Sequence, residues 1–96
     1  MAARVSDRQI LDAVTGTVLS HGYTRATTRQ IAAAAGVNEV TLFRRFGDKR
    51  TLVRAAIAQE VEAFGRAGPA YTGDLEADLG RVVDFYARVL RERGRL

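Results

Sequence analysis

The 96-residue chain contains no cysteine and only one histidine and one proline. Without cysteine it can form neither a disulfide nor a thiolate metal site, so its stability must come from the packing of helices. A single histidine, with no paired carboxylates in an evident cleft, provides no nucleophile–base pair and no cluster of metal ligands. We therefore expect a protein that is not an enzyme and that has no catalytic residue, metal site or cofactor.

Long apolar runs are also missing. No stretch approaches the ~20 apolar residues of a membrane span, and the amino terminus lacks the apolar run of a signal peptide. A cytoplasmic protein with no membrane partner is the expectation. The length is sufficient for one small domain, which buries roughly two-thirds of the surface of the unfolded chain.

The positive charge is unevenly distributed along the chain. The formal net charge is +4, with eight Lys or Arg and four Asp or Glu in residues 1–50, against seven and seven in residues 51–96. A single arginine on a helix is often a solvated surface residue. Concentration of the whole excess in one half instead indicates a polyanionic partner for that half.

Apolar periodicity predicts about five helices and no strand, which indicates an all-α fold, a small helical bundle. The expected helices run from Asp7 to about Ser20, from Thr28 to Ala35, from Glu39 to Phe46, from just after Asp48 to about Arg66, and from just after Asp74 to about Arg93. Gly68 and Pro69 indicate a loop before the last helix.

The longer helices carry apolar stripes that should face their neighbours. The first stripe consists of Ile10, Leu11, Val14, Val18 and Leu19. Gly16 interrupts that helix at a cost of roughly 1 kcal/mol against alanine, and close packing against a neighbour would explain it. The last helix has a stripe from Leu75 to Leu90, any exposed remainder of which would be an association surface. The acidic residues at 74, 76 and 78 are interpreted as complements of its dipole.

The segment from Thr27 to Lys49 has the signals of two short helices joined by a tight turn. Thr27 with Gln30 forms a capping box, and Gly36 is suited to the left-handed conformation that ends a helix. Asn38 can cap the next helix. In that helix Leu42 and Phe46 share one face and should point inward. Thr41, Arg44 and Arg45 lie on another face and should stay outside, which is typical of a homeodomain-like helix-turn-helix that reads DNA.

The motifs of this segment, Thr-Thr-Arg-Gln-Ile-Ala, Ala-Gly-Val-Asn and Thr-Leu-Phe-Arg-Arg-Phe-Gly-Asp-Lys, resemble the tetracycline-repressor (TetR) family of bacterial regulators. The resemblance covers about Ile10 to Ile57, half of the chain. It is specific because a threonine pair, an Ala-Gly-Val turn, an aromatic pair and a lysine fall at fixed offsets. The family usually has tyrosine where this chain has Phe43, and often histidine where it has Arg45. These departures alter individual contacts without changing the class.

The resemblance also implies a domain organisation. Residues 1–66 would be the DNA-binding helix-turn-helix domain, and residues 67–96 the start of a C-terminal ligand-binding and dimerisation domain whose remainder is absent. The sequence is then either a truncated form or one without a sensor domain. By resemblance, a homodimer would bind a palindromic operator and repress transcription, and a small-molecule effector in the missing half would release it.

The expected base contacts lie at and near the start of the recognition helix, whose N-terminal residues approach the base edges of the major groove. Arg44 is the leading candidate for a bidentate contact with guanine, and Thr41 is suited to a phosphate or a thymine. Arg29 matches a family position that can reach a base. The remaining candidates at the helix start are Asn38, Glu39 and Val40. Glu39 could accept from a cytosine amino group, and the alternative that we favour is an ordinary favourable charge at a helix N-terminus.

The expected backbone contacts form a separate set. Thr27 and Thr28, with the free N–H groups of their helix, and Lys49 should grip phosphates on either side. Lys49 matches the family's lysine. Phe43 should contact sugar or methyl groups or pack against its neighbours, and Arg45 should take a phosphate. One alternative remains open, a helical protein-binding module that keeps the fold without contacting DNA, which the neutral second half would suit.

Overall fold

The computed structural model describes residues 5–65 and 71–94 of the chain. This part forms an all-α structure of five helices, which confirms the expected fold class. The helices are α1 Asp7–His21, α2 Thr28–Ala35, α3 Glu39–Phe46, α4 Lys49–Phe64 and α5 Leu75–Gly94. The bounds of α2 and α3 are those predicted from the sequence. The expected end of the fourth helix at Arg66 and the loop at Gly68 and Pro69 lie outside the described residues.

The first helix begins at the predicted capping box. The Ser6 hydroxyl accepts from the Gln9 N–H at 3.2 Å, and the Gln9 side chain accepts from the Ser6 N–H at 2.8 Å. Most of the predicted stripe is buried, with Ile10 and Val14 almost fully so. Leu19, however, is 37% exposed. The prediction that Leu19 belongs to the buried stripe is therefore wrong, because the stripe ends one position earlier, at Val18.

Gly16 does not make the close contact that we expected. A Cβ atom placed on it would meet no heavy atom within 4 Å. The residue lies instead on an open groove of about 420 Å³. The groove is lined by Ala13, Gly16, Thr17, Ser20, His21, Gln30 and Ala34. Packing therefore does not explain this glycine, and nothing else in the structure does.

The chain divides into two compact units, residues 1–56 and residues 57–96, with the division falling inside α4. The core of the first unit takes side chains from each of its helices. They are Ile10, Val14, Ile31, Leu42, Leu52 and Val53, each no more than 1% exposed. Because α2 and α3 are anchored in this core, the helix-turn-helix is held by apolar burial. The domain boundary expected at 66/67 falls outside the described residues and stays a prediction.

The second unit contains an aromatic cluster. The ring centroids of Phe64 and Phe85 are 4.6 Å apart, and those of Phe64 and Tyr86 are 5.8 Å apart in an edge-on arrangement. The Tyr86 hydroxyl donates to the buried Glu60 carboxylate at 2.5 Å. On α5, Leu75 and Val82 are buried, whereas Leu90 is 63% exposed. The predicted stripe of α5 is therefore buried near its start and open towards its end.

Asp78 lies in the first turn of α5, as expected, and has a further role that we did not expect. It is only 1% exposed, and its carboxylate accepts from the Thr72 N–H at 2.9 Å, the Thr72 hydroxyl at 2.6 Å and the Gly73 N–H at 2.9 Å. Arg81 also donates to it at 3.1 Å. Burial opposes the charge on Asp78, but these hydrogen bonds and the Arg81 charge outweigh burial and lower its pKa. Asp78 therefore holds the segment before α5 in place by hydrogen bonds. The cap of α5 is Asp74, as predicted, which accepts from the Ala77 N–H.

Candidate nucleic-acid interface

The helix-turn-helix is built from three local capping arrangements. At the start of α2, the Thr27 hydroxyl and the Gln30 side chain exchange hydrogen bonds of 3.0 Å with each other's backbone N–H. Gly36 ends α2 with φ 77° and ψ 28°, a left-handed conformation that glycine adopts without a steric cost. The Asn38 side chain then accepts from the Thr41 N–H at 2.8 Å and from the Thr41 hydroxyl at 3.0 Å. These three arrangements confirm the sequence prediction and fix the turn between the helices.

The orientation of α3 separates an inner face from an outer one. Leu42 is 1% exposed, which confirms that it points inward, whereas Phe46 is only half-buried. On the outer face Val40 is 59% exposed and Phe43 is 46% exposed, and Arg44 is also exposed. The helix therefore presents a guanidinium beside two apolar groups to solvent. This combination can bind the acceptors of guanine and the methyl of thymine.

The start of α2 provides hydrogen-bond donors next to α3. Because an α-helix bonds each N–H to the carbonyl four residues earlier, the N–H groups of Thr28 and Arg29 have no partner within the helix. Such N–H groups, together with the positive end of the helix dipole, favour an anion. The Arg29 side chain is exposed at the same helix start. This end of α2 therefore has the donors that a phosphate requires.

A side-chain hydrogen bond joins the N-terminal ends of α2 and α3. The Thr28 hydroxyl donates to the Glu39 Oε2 atom at 2.9 Å, and both side chains are half-buried. Thr28 was expected to contact the DNA backbone and Glu39 a base, so the structure brings one predicted member of each set together. The contact also restricts the conformations of the Glu39 side chain.

Arg45, expected to take a phosphate, is engaged with the start of α1. Its guanidinium donates to the Val5 carbonyl at 2.7 Å and to the Asp7 carboxylate. The Arg45 side chain is 18% exposed and that of Asp7 is 65% exposed. A guanidinium carries five N–H donors, so these contacts do not use all of them. Arg45 thus links α1 to α3 and retains donors for another group.

Lys49 is held by Tyr23, which precedes α2. Its ammonium donates to the Tyr23 carbonyl and lies 4.3 Å from the centroid of the Tyr23 ring. An ammonium has three donors, so others remain for a phosphate. The preceding residue caps α4, since Asp48 accepts from the Thr51 N–H at 2.8 Å. Hydrogen bonds from the Thr51 backbone and side chain lower the pKa of Asp48, so its capping charge is stabilised.

Two residues in this region were missed from the sequence. Asp7 was expected only to begin the first helix, and neither it nor Tyr23 was included among the groups around the expected DNA contacts. Each has its partner far along the chain, Asp7 at Arg45 and Tyr23 at Lys49. No spacing rule connects residues so far apart. The one available signal was Lys49 itself, because a lysine ammonium is attracted to the face of an aromatic ring. An expected binding lysine is therefore a reason to look for an aromatic partner.

The described part of the chain is suited to binding an extended anion. Arg29, Arg44, Arg45 and Lys49 all belong to or adjoin the helix-turn-helix. Within residues 5–65 and 71–94 there is no group of three or more His, Asp or Glu side chains that could hold a metal ion. Among the helices described, none is long and apolar enough to cross a membrane. What this surface offers chemically is a set of donors and cations around one exposed helix.

Comparisons with known proteins give a consistent result. A family model described as bacterial regulatory proteins of the tetR family matches residues 10–56. The chain is 38% identical over 76 residues to the uncharacterized HTH-type transcriptional regulator YvkB of Bacillus subtilis, covering 79% of this chain and 40% of that protein. It is 37% identical over 68 residues to the uncharacterized HTH-type transcriptional regulator Rv1556 of Mycobacterium tuberculosis, covering 71% of this chain and 33% of that protein. No solved structure matches the chain.

The extent of these matches has its own consequence. The chain spans 33% to 40% of the length of the two relatives. The similarity therefore concerns the part of those proteins that contains the helix-turn-helix.

Proposed function

The chain belongs to the tetR family of bacterial regulatory proteins, and from this premise we propose that it is the DNA-binding part of a sequence-specific, ligand-responsive repressor. Its relatives are named as transcriptional regulators, so the family is one of DNA-binding regulators and not of enzymes. The observation that carries the proposal is the orientation of α3, which buries Leu42 and exposes Val40, Phe43 and Arg44.

In the proposed complex α3 lies in the major groove of duplex DNA. Arg44 makes a bidentate contact with the N7 and O6 atoms of a guanine, and Val40 contacts a thymine methyl. Asn38, Glu39 and Thr41 border the same base edges from the start of α3. Arg29 approaches them from α2. Exposure of Arg44 and Val40 supports this arrangement, since neither side chain has to leave a core before binding.

The phosphates are bound by groups on either side of α3. On one side are Thr27 and the N–H groups at the start of α2, that of Thr28 among them, and on the other is Lys49 at the start of α4. Two further residues complete the set of backbone contacts. Arg45 donates to a phosphate, and Phe43 packs against a sugar. Because each neutralised phosphate adds about 0.9 to the slope of log affinity against log salt, binding should weaken steeply as salt rises.

The finer features of the proposal follow from the family resemblance. We place the protein in the cytoplasm, as a homodimer on a palindromic operator whose half-sites lie about one helical turn apart. An effector would bind in a region that corresponds to the part of the relatives not covered by this chain. Effector binding would release the protein from the operator.

The proposal is tested by selecting duplexes from a random pool and by measuring the affinity of variants for the selected site. Arg44→Ala should cost roughly 1–3 kcal/mol and relax the preference at one base position. Lys49→Ala should weaken binding to every sequence alike and lower the salt dependence. Arg88→Ala, which removes an exposed arginine of α5, is the matched control and should leave the affinity unchanged.

Two results would contradict the proposal. If Arg44→Ala and Lys49→Ala leave the affinity for duplex DNA unchanged, the chain is instead a helical protein-binding module that keeps this fold. The exposure of Leu90 and Tyr71 in the second unit favours that second candidate. If both variants lose specificity equally, the division into base and backbone contacts is wrong.

A further inference from the structure

The hydrogen bond between Thr28 and Glu39 indicates how one base is selected. We infer that Thr28 is a positioning residue, whose hydroxyl holds the Glu39 carboxylate, and that Glu39 so held selects a cytosine by the amino group of that base. The inference rests on the proposed function and assigns a new role to a side chain that was expected to contact phosphate. Its geometric basis is the 2.9 Å contact from Thr28 Oγ1 to Glu39 Oε2 across the two helix starts.

The chemistry of the hydroxyl limits what else Thr28 can do. A threonine hydroxyl has one hydrogen to donate, and here it is donated to the Glu39 carboxylate. Phosphate oxygens in DNA only accept hydrogen bonds, so this hydroxyl has no hydrogen left for a phosphate. The backbone N–H of Thr28, at the first turn of α2, is the group that remains for one. The side chain of Thr28 therefore acts on a base through Glu39, whereas its backbone N–H remains for a phosphate.

The chemistry of the carboxylate decides which base it favours. An ionised glutamate is an acceptor only, and with Oε2 held by Thr28 its Oε1 atom keeps its lone pairs. In the major groove, cytosine presents the N4 amino donor, whereas guanine presents the acceptors N7 and O6 and thymine presents the acceptor O4. Glu39 would attract the cytosine amino group and repel the acceptor atoms of guanine and thymine. Adenine has a donor too, but its N7 acceptor lies next to it.

The neutrality of the Thr28 hydroxyl adds to the selectivity. A cation in the same place would restrain Glu39 but would also neutralise its charge and weaken its repulsion of wrong bases. A hydroxyl restrains the carboxylate without removing that charge. Glu39 also lies in the first turn of α3, where the helix dipole favours a negative charge. The carboxylate is therefore held in one region before DNA arrives.

The test is selection from a random duplex pool with the wild type and four variants, Glu39→Ala, Glu39→Gln, Thr28→Val and Thr28→Ser. Glu39→Ala should abolish the cytosine preference at one position, a discrimination of roughly 5- to 150-fold in the wild type, as for a typical mismatched base pair. Thr28→Val should reduce that preference several-fold at the same position while leaving the other positions unchanged. Thr28→Ser, which keeps the hydroxyl, should restore it.

Glu39→Gln provides a second readout that does not depend on Thr28 variants. A glutamine pairs with the N6 and N7 atoms of adenine, so the preferred base should change from cytosine to adenine. Thr24→Val, at an exposed threonine of the turn before α2, is the matched control and should select the wild-type site. Thermal melting of each variant verifies the fold, which Thr28→Val should preserve because Thr27 is the residue that caps α2.

The outcomes separate this inference from the proposed function. If the wild type selects a duplex and Thr28→Val weakens all sequences alike, Thr28 is a phosphate contact and the inference is overturned. A wild type with no cytosine preference sensitive to Glu39→Ala, or a Thr28→Ser variant that behaves like Thr28→Val, overturns it as well. If the wild type selects no duplex at all, the proposed function fails and the inference fails with it.

Discussion

Each of the two compact units contains an aspartate–arginine pair, and the two pairs differ in burial. In the first unit Asp7 pairs with Arg45, and the Asp7 side chain is 65% exposed. In the second unit Asp78 pairs with Arg81, and the Asp78 side chain is 1% exposed. Asp78 also accepts hydrogen bonds from Thr72 and Gly73, so its carboxylate is surrounded by donors.

The difference shows how each unit uses its polar groups. Around the helix-turn-helix the contacts of Arg45 and Lys49 are part-buried and use only some of the donors on each cation. In the second unit a buried carboxylate uses its oxygens to hold a backbone segment in place. The first arrangement suits a surface that must meet an external anion. The second suits a segment that must keep one conformation.

If the surface contacts of the first unit contribute little stability, then its core must contribute most. Leu42→Ala should lower the free energy of unfolding by about 2–5 kcal/mol, because it removes a fully buried side chain and leaves a cavity. Urea denaturation followed by circular dichroism measures the change. Val40→Ala, on the exposed face of the same helix, should stay within about 0.5 kcal/mol of the wild type. Similar losses for both variants would show that α3 is not oriented as described.

Asp78→Asn should give the next largest loss of stability, since an amide group would face donors with a donor of its own. The lowered pKa of Asp78 gives the sign of its pH dependence. The stabilisation from its charge is present above the unfolded-state pKa of about 4 and is lost as pH falls through the lower folded-state value. Urea denaturation between pH 3 and pH 7 should therefore show a weaker acid dependence in Asp78→Asn. An unchanged acid dependence would contradict this role.

Asp7→Asn should give the smallest effect, because exposed ion pairs contribute about 0–1 kcal/mol. The same denaturation experiment at neutral pH measures it, and with Asp78→Asn it forms a matched pair of substitutions in the two units. A loss as large as that of Asp78→Asn would remove the contrast between the units.

The features that were predictable from the sequence are local ones. The caps at Ser6, Thr27 and Asn38 each join residues three apart, so a short motif contains both partners. The left-handed Gly36 is likewise determined by its immediate neighbours. Such signals were sufficient to predict the bounds of α2 and α3, and the inward side of Leu42.

The features that escaped prediction depend on tertiary placement. Lys49 and Tyr23 are 26 residues apart, and Arg45 and Asp7 are 38 apart. Whether they meet depends on how α1 and α4 pack in the core, which no spacing reveals. The burial of Asp78 escaped prediction for a related reason, since its position near a helix start indicated only a complement of the helix dipole. Its burial follows from the path of the segment before α5, which periodicity does not predict.

The contact of Arg45 with the Val5 carbonyl has a practical consequence for anyone who studies this protein. Val5 lies beside α3, so a substitution or fusion at this residue would change the surroundings of the groups that are to be assayed. Binding measurements should therefore compare an amino-terminal tag with a carboxyl-terminal one, and a difference in affinity would show that the surroundings of Val5 lie close to bound DNA.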